Sequence, residues 1–221
     1  MARKDEARRQ KRIAKQKAKR QAKRSFLLQR SSADPTIRLQ HAEKWPVVRA
    51  LVAEELWDEG LGYLVIAREE SDGRLVFASF MMDVYCLGVK DAFWRAGTRT
   101  EFQDIIQQMD EMRTMVPIEP ACLVKIVKGA VDYAQSFGFP PHPDYHHASK
   151  LLDGIDPSTC PQSFTFGRDG KPFYIQGPHE SPARVEAIMK RMREVGGHFS
   201  VSSNGLEVEG FPGMDDEFDE G

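Results

Sequence analysis

Two apolar runs joined by a turn signal constrain the fold of this chain more than any other feature. Residues 62–67 and 74–85 are separated by the segment REESDG, which ends in an Asp-Gly pair. Asp-Gly favours the two-residue turns of β-hairpins, so the sequence predicts an antiparallel hairpin here. The second run, LVFASFMMDVYCLG, is apolar at consecutive positions, which is typical of a strand that is buried on both faces. We therefore expect this strand to lie at the centre of a sheet.

The other segments show helical or extended patterns, with a loop expected just before residue 99. Apolar residues at helical spacing predict helices over residues 44–59, 99–115, 119–137, 143–152 and 181–195. Extended segments are predicted at SFTF and PFYI, forming a second hairpin around GRDGK, and at HFSV and LEVE. Hairpins rather than strand–helix–strand units favour a single α+β domain over residues 44–212. Its antiparallel sheet, built from two β-hairpins and short C-terminal strands, is expected to be covered by helices.

Charge is strongly segregated along the chain. Residues 1–30 carry 13 lysines and arginines against two acids, a balance of +11, whereas the remainder carries 18 against 31, a balance of −13. The sequence therefore predicts a flexible or helical basic arm over 1–30, a linker over 31–43 and an acidic disordered tail over 213–221. The arm residues expected to contact phosphates are Arg8, Arg9, Lys11, Arg12, Lys15, Lys17, Lys19, Arg20, Lys23 and Arg24.

The arm indicates a kind of partner rather than an activity. Cationic side chains on a tether neutralise phosphates without reading base sequence, so we expect an RNA- or ribonucleoprotein-associated protein whose body has an unknown role. The alternatives are that the arm stays solvated or folds back on the acidic body, which can itself contact a protein partner. No segment approaches the roughly 20 apolar residues of a membrane span, so no membrane partner is expected.

The segment PHPDYHH, residues 141–147, raises a second hypothesis, a metal-dependent hydrolase or nuclease. In a helix that starts within this segment, His142 and His146 point one way and Asp144 another, so the segment cannot complete a site alone. The simpler interpretation is a helix start. A divalent metal is expected only under this hypothesis, and no cofactor is predicted otherwise. The candidate ligands or acid–base groups are Asp83, Asp91, His142, Asp144 and His146.

A third hypothesis concerns residues 81–91, MMDVYCLGVKD. Asp83 lies in an otherwise apolar strand, where a carboxylate must be paired or have a perturbed pKa. A structural ion pair with Lys90 or an arginine would meet that need. Cys86 beside a histidine of the 141–147 segment would form a nucleophilic pair, although a cysteine in such a place more often only packs. The candidate catalytic residues are therefore Asp83, Cys86, Lys90 and Asp91.

The three cysteines, Cys86, Cys122 and Cys160, are widely spaced and odd in number. This pattern argues against a disulfide framework and for a reducing compartment. The N-terminus also lacks the apolar middle of a secretory signal. We therefore expect a cytoplasmic protein.

Three segments carry a resemblance to other proteins. CLGVKDAFW, GFPPHPDYHHASKLL and FGRDGKPFYIQGP resemble segments of a group of uncharacterised bacterial proteins. The likeness spans roughly residues 60–200 and leaves out the basic arm. It implies a bacterial origin and a single body domain, and it carries no activity, cofactor or catalytic residue.

Overall fold

A computed structural model describes residues 35–177, 180–203 and 206–210. The predicted arm over 1–30 and the predicted tail over 213–221 lie outside the described residues. The described part contains six α-helices and two β-sheets, which confirms the α+β class. The helices are α1 (Pro35–His41), α2 (Leu56–Glu59), α3 (Arg99–Met112), α4 (Pro120–Ser136), α5 (Tyr145–Ala148) and α6 (Pro182–Glu194).

The main sheet has five antiparallel strands in the order β4-β3-β2-β1-β5. They are β1 (Val47–Ala53), β2 (Leu61–Glu69), β3 (Leu75–Asp83), β4 (Gly88–Gly97) and β5 (Met115–Pro117). The predicted hairpin is β2–β3, with Leu61 opposite Asp83 and Glu69 opposite Leu75. Its turn is stabilised by Asp72, whose carboxylate accepts a hydrogen bond from the backbone of Arg74 at 3.0 Å. As expected, β3 lies between two other strands.

Two sequence predictions in this region are wrong. Residues 47–53, predicted as helix, form strand β1 between β2 and β5, and only α2 at the end of the predicted range is helical. Residues 89–97, predicted as a loop, belong to strand β4 at the edge of the sheet. Strand β1 gains backbone hydrogen bonds from β5, more than 60 residues away, and tertiary pairing of this kind overrides local preference. Strand β4 instead pairs with β3, which directly precedes it, with Asp83 opposite Gly88.

Helices cover both faces of the main sheet. On one face, Leu64, Ile66 and Phe80 pack in a core with Leu123 and Val127 of α4. On the other face, α3 packs its apolar side against the sheet, mainly through Phe77, Phe102 and Met109. The core of the first face also holds Leu39 of α1 and Ala42, so residues 35–43, predicted as part of a linker, are joined to the body.

Arg68 of β2 links two short 3₁₀ helices, Ala42–Lys44 and Ser149–Leu152, to the sheet through hydrogen bonds. Its buried guanidinium donates hydrogen bonds to the backbone carbonyls of Glu43, Trp45, Leu151 and Asp153. The Arg68 side chain therefore supplies hydrogen-bond donors to backbone carbonyls beside both 3₁₀ helices, which would otherwise lack partners.

The C-terminal part forms a second sheet, β6 (Phe173–Ile175), β7 (His198–Ser203) and β8 (Leu206–Gly210). The predicted second hairpin does not form, because β6 pairs in parallel with β7 and SFTF is not a strand. The Asp-Gly turn itself is present: Asp169 and Gly170 have φ values of 54° and 77°, and Arg168 bridges to Lys171. Helix α6 and the two C-terminal strands appear where they were predicted, with Ser181 as the helix cap.

Candidate functional site

Asp83 ends β3 and holds the turn that leads into β4. Its side chain is buried, and Oδ1 accepts hydrogen bonds from the backbone N–H groups of Tyr85 at 3.1 Å and Cys86 at 2.8 Å. Burial raises the pKa of Asp83 to about 6, although the charge of Lys90 and these hydrogen bonds act in the opposite direction. The arrangement stabilises the connection between two strands, which is a structural role.

Lys90 forms its ion pair with Glu180 rather than with Asp83. Lys90 Nζ lies 3.2 Å from Glu180 Oε1, and the two side chains are only 8% and 10% exposed. Glu180 Oε2 also accepts hydrogen bonds from the Tyr174 hydroxyl at 2.6 Å and the Gly177 backbone at 2.7 Å. Burial tends to raise the pKa of Glu180, but these hydrogen bonds and the charge of Lys90 lower it below its usual value. The pair thus joins the main sheet to the C-terminal part.

Cys86 is fully buried and packs in the C-terminal core. Its Sγ lies 3.4 Å from Met192 Sδ. Burial, reinforced by the negative charge of Asp83, raises the pKa of the thiol. Since the thiolate is the nucleophile, this environment does not favour a catalytic role for Cys86. The alternative noted from the sequence, a cysteine that packs, agrees with its surroundings.

Asp91, His142 and Asp144 come together at the protein surface. His142 Nδ1 lies 3.7 Å from an Asp91 oxygen and 3.8 Å from an Asp144 oxygen, and both aspartates are 63% exposed. The same nitrogen accepts a hydrogen bond from the backbone of Asp144 at 3.3 Å, so the Nδ1 lone pair that faces the two aspartates is already engaged. His146 lies further along, in α5, with its ring against His147.

The five candidate ligands therefore do not form one centre, because Asp83 is buried at the end of β3 while Asp91, His142 and Asp144 are partly or largely exposed. Within residues 35–177, 180–203 and 206–210, no group of three or more histidine, cysteine, aspartate or glutamate side chains is arranged to hold a metal ion. The helix itself starts at Tyr145, with Asp144 as the residue before it.

A groove of about 970 Å³ lies beside α2 and the turn after β3, and we call it the aromatic groove. Trp57 and Phe164 stack in it with ring centroids 5.5 Å apart and planes inclined by 6°. Tyr85 adds a third ring, fixed by a hydrogen bond from its hydroxyl to the Trp57 carbonyl at 2.6 Å. The lining residues are Trp57, Asp58, Tyr85, Gln162, Ser163, Phe164, Thr165, Gly167, Arg168, Asp169 and Gly170.

A disulfide between Cys122 of α4 and Cys160 holds the loop that forms one wall of this groove. Lys125 adds two hydrogen bonds, from Nζ to the carbonyls of Cys160 at 3.1 Å and Gln162 at 2.6 Å. At the far end of the loop, Gly167 donates from its backbone to the Val84 carbonyl at 2.9 Å. The wide spacing and odd number of the cysteines predicted no disulfide framework, and that prediction is wrong: Cys122 and Cys160 are paired because the fold brings the loop onto α4.

The groove and the Lys90–Glu180 pair were both missed from the sequence. Trp57 lies in a segment that was predicted to be one long helix, and Phe164 lies in SFTF, which was predicted to be a hairpin strand. No sequence signal therefore indicated that the rings of Trp57 and Phe164 meet. Glu180 precedes the cap of α6 by one residue and carries no motif of its own. The one available signal was the Asp-Gly turn at 169–170, which correctly marked the tip of a loop.

Comparison with known proteins adds no assignment: no protein-family model, curated protein or solved structure matches the chain. In the part of the chain that the structure describes, no helix is long and apolar enough to cross a membrane.

Proposed function

We propose that this protein associates with RNA, free or in a ribonucleoprotein, through its basic arm. The observation that carries the proposal is the charge balance of +11 over residues 1–30, set against −13 for the rest of the chain. Lysines and arginines at this density bind phosphates by releasing counterions, whatever the base sequence. An acidic body repels nucleic acid, so the contact is confined to the arm.

The described body offers little support for the alternative function, a hydrolase. Asp83 stabilises a turn, Cys86 packs in a core and Lys90 forms an ion pair. The surface trio of Asp91, His142 and Asp144 is partly or largely exposed, and its one internal hydrogen bond runs from the Asp144 backbone to His142. These environments differ from those of activated nucleophiles or general bases, which combine access with a matched pKa.

A cytoplasmic and bacterial setting belongs to the same proposal, since RNA is abundant there. A lasting structural disulfide is uncommon in that compartment. The redox state of Cys122 and Cys160 inside cells therefore bears directly on where the protein works.

The test is the salt dependence of RNA binding by the full-length chain. A short labelled RNA is titrated with the protein at a series of salt concentrations, and the slope of log K against log[salt] is measured. Each phosphate contact contributes about −0.7 to that slope for single-stranded RNA. A variant with the ten named arm residues, Arg8 to Arg24, changed to glutamine is expected to bind weakly with a slope near zero.

The control changes two exposed lysines of the body, Lys128→Gln and Lys190→Gln, and should leave the affinity and slope nearly unchanged. Equal affinity and equal slope for the arm variant and the unmodified protein would refute the proposal.

A further inference from the structure

We propose that the aromatic groove is a docking site for the cationic side chains of the chain's own basic arm, residues 8–24. An arm that is docked in the groove cannot bind RNA at the same time, so the body competes with RNA for the arm. The competition rests on the proposed function, whereas the docking does not.

The rings of the groove are suited to cations. Trp57, Phe164 and Tyr85 all line it and are partly exposed, and Trp57 and Phe164 stack on each other through one face of each ring. The face of an aromatic ring that is not covered by another ring attracts a guanidinium or ammonium, most strongly for tryptophan. Gly60 allows this arrangement: it has a φ of 72°, and a Cβ there would lie only 2.1 Å from the Tyr85 ring. The volume of about 970 Å³ accommodates more than one long side chain.

The charges around the groove complement a basic segment rather than a nucleic acid. Asp58 and Asp169 line it, and Glu54 and Glu55 are exposed in the same EELWDE segment as Trp57. Among the lining residues the only basic side chain is Arg168, whose guanidinium lies over the Phe173 ring at 4.8 Å and whose charge also acts on Tyr85. Two acids against one arginine leave the lining with a net charge of −1. Phosphates would be repelled by these carboxylates, whereas lysines and arginines would be attracted.

The arm is long enough to reach the groove. Helix α1 is held at one end of β2, where Arg38 pairs with Glu70 at 2.6 Å. Trp57 and Tyr85 lie near the other end, nine residues along that strand or roughly 30 Å away. Residues 8–24 precede α1 by 11 to 27 residues, and an extended chain covers up to about 3.5 Å per residue, or roughly 40–90 Å. Because the arm is tethered, its effective concentration at the groove is high.

The first measurement is arm protection in the full-length protein, with no RNA present. Brief trypsin digestion reports the cleavage rate at the arm lysines and arginines by mass spectrometry. The double variant Asp58→Asn/Asp169→Asn removes the groove charges, and asparagine keeps the positive φ of residue 169 accessible. We expect arm cleavage to accelerate about threefold to tenfold. The matched control, Asp104→Asn/Asp132→Asn, removes two exposed carboxylates on α3 and α4 and should change nothing.

The second measurement is RNA affinity at low salt, with Trp57→Leu as a variant that keeps an apolar side chain but removes the π-face. If the arm occupies the groove, its release tightens RNA binding by about threefold to tenfold. If an RNA base occupies the groove instead, the same variant weakens binding, and the proposal is overturned. Equal arm cleavage in the groove variant and its control also overturns it. Groove-dependent protection without any RNA binding would support docking while removing the proposed function.

Discussion

Reduction of the disulfide between Cys122 and Cys160 is expected to destabilise the protein strongly. The cross-link closes a loop with a sequence separation of 38 residues. For a loop of that size, the entropy removed from the unfolded chain corresponds to about 4 kcal/mol at 25 °C. In a protein of this length each 1 kcal/mol shifts the melting temperature by about 2–4 °C, so reduction should lower it by about 8–16 °C.

The assay combines a thiol count with thermal unfolding. In denaturant without reductant, the protein should show one reactive thiol, that of Cys86, because the other two are paired. A dithiol reductant should then expose all three and lower the melting temperature. The variant Cys122→Ala/Cys160→Ala should melt near the reduced protein and be insensitive to reductant. Three thiols before reduction, or a melting temperature that reductant leaves unchanged, would refute the reasoning.

Two further predictions concern buried charges. Arg68→Met keeps the aliphatic stem but leaves four backbone carbonyls without their donor, so we expect a loss of about 2–4 kcal/mol in urea unfolding. The exposed Arg74→Met is the control, and a similar loss in both would contradict the argument. The pKa of Asp83 is about 6 in the folded protein, against its usual 3.8, so folding favours the protonated carboxyl. Its contribution to the free energy of unfolding is therefore full below pH 4 and falls by about 3 kcal/mol as the pH rises through 6. Asp83→Asn preserves the Oδ1 acceptor and should remove that pH dependence, and an unchanged difference between pH 4 and pH 7 would show that another group causes it.

Local signals were sufficient for several elements. The β2–β3 hairpin was predictable because an Asp-Gly turn and a strand buried on both faces point to the same pairing. Helix α3 begins with a reciprocal cap between Thr98 and Glu101, and α6 with the Ser181 cap, so sequence and structure agree closely at their starts. In each case the deciding interaction lies within a few residues of the element itself.

Strand β1 shows where such signals fail. Leu51 and Ala53 pack in the core on one face of the sheet, while Ala50 and Val52 contact the core on the other. A strand buried on both faces loses the alternation that identifies strands, and its apolar residues then match helical spacing equally well. What makes it a strand is pairing with β2 and β5, and β5 is more than 60 residues away.

The predicted catalytic and metal residues were not brought into one site for a similar reason: the partner of each residue is distant in the sequence. Lys90 and Glu180 are 90 residues apart and meet only because the C-terminal core packs beneath the turn after β3. Cys122 and Cys160 likewise meet through the docking of a loop on α4. The residue types were visible in the sequence, but the partner of each was not, and the partner determines whether a charge or thiol is structural or reactive.

The charges of this protein fall into two physically different groups. Those inside, such as Arg68, Asp83, Lys90 and Glu180, contact backbone groups or one another, because a buried charge without a partner is strongly destabilising. Along the sequence, charge is segregated between a basic stretch over residues 1–30 and an acidic remainder. Segregation does little for folding, since exposed pairs contribute little to stability. Under our two proposals, it creates a strong attraction between the arm and RNA, and a weaker one between the arm and its own body. Salt screens these two attractions to different extents. Their relative strength can therefore be measured by following RNA binding and arm cleavage at several salt concentrations.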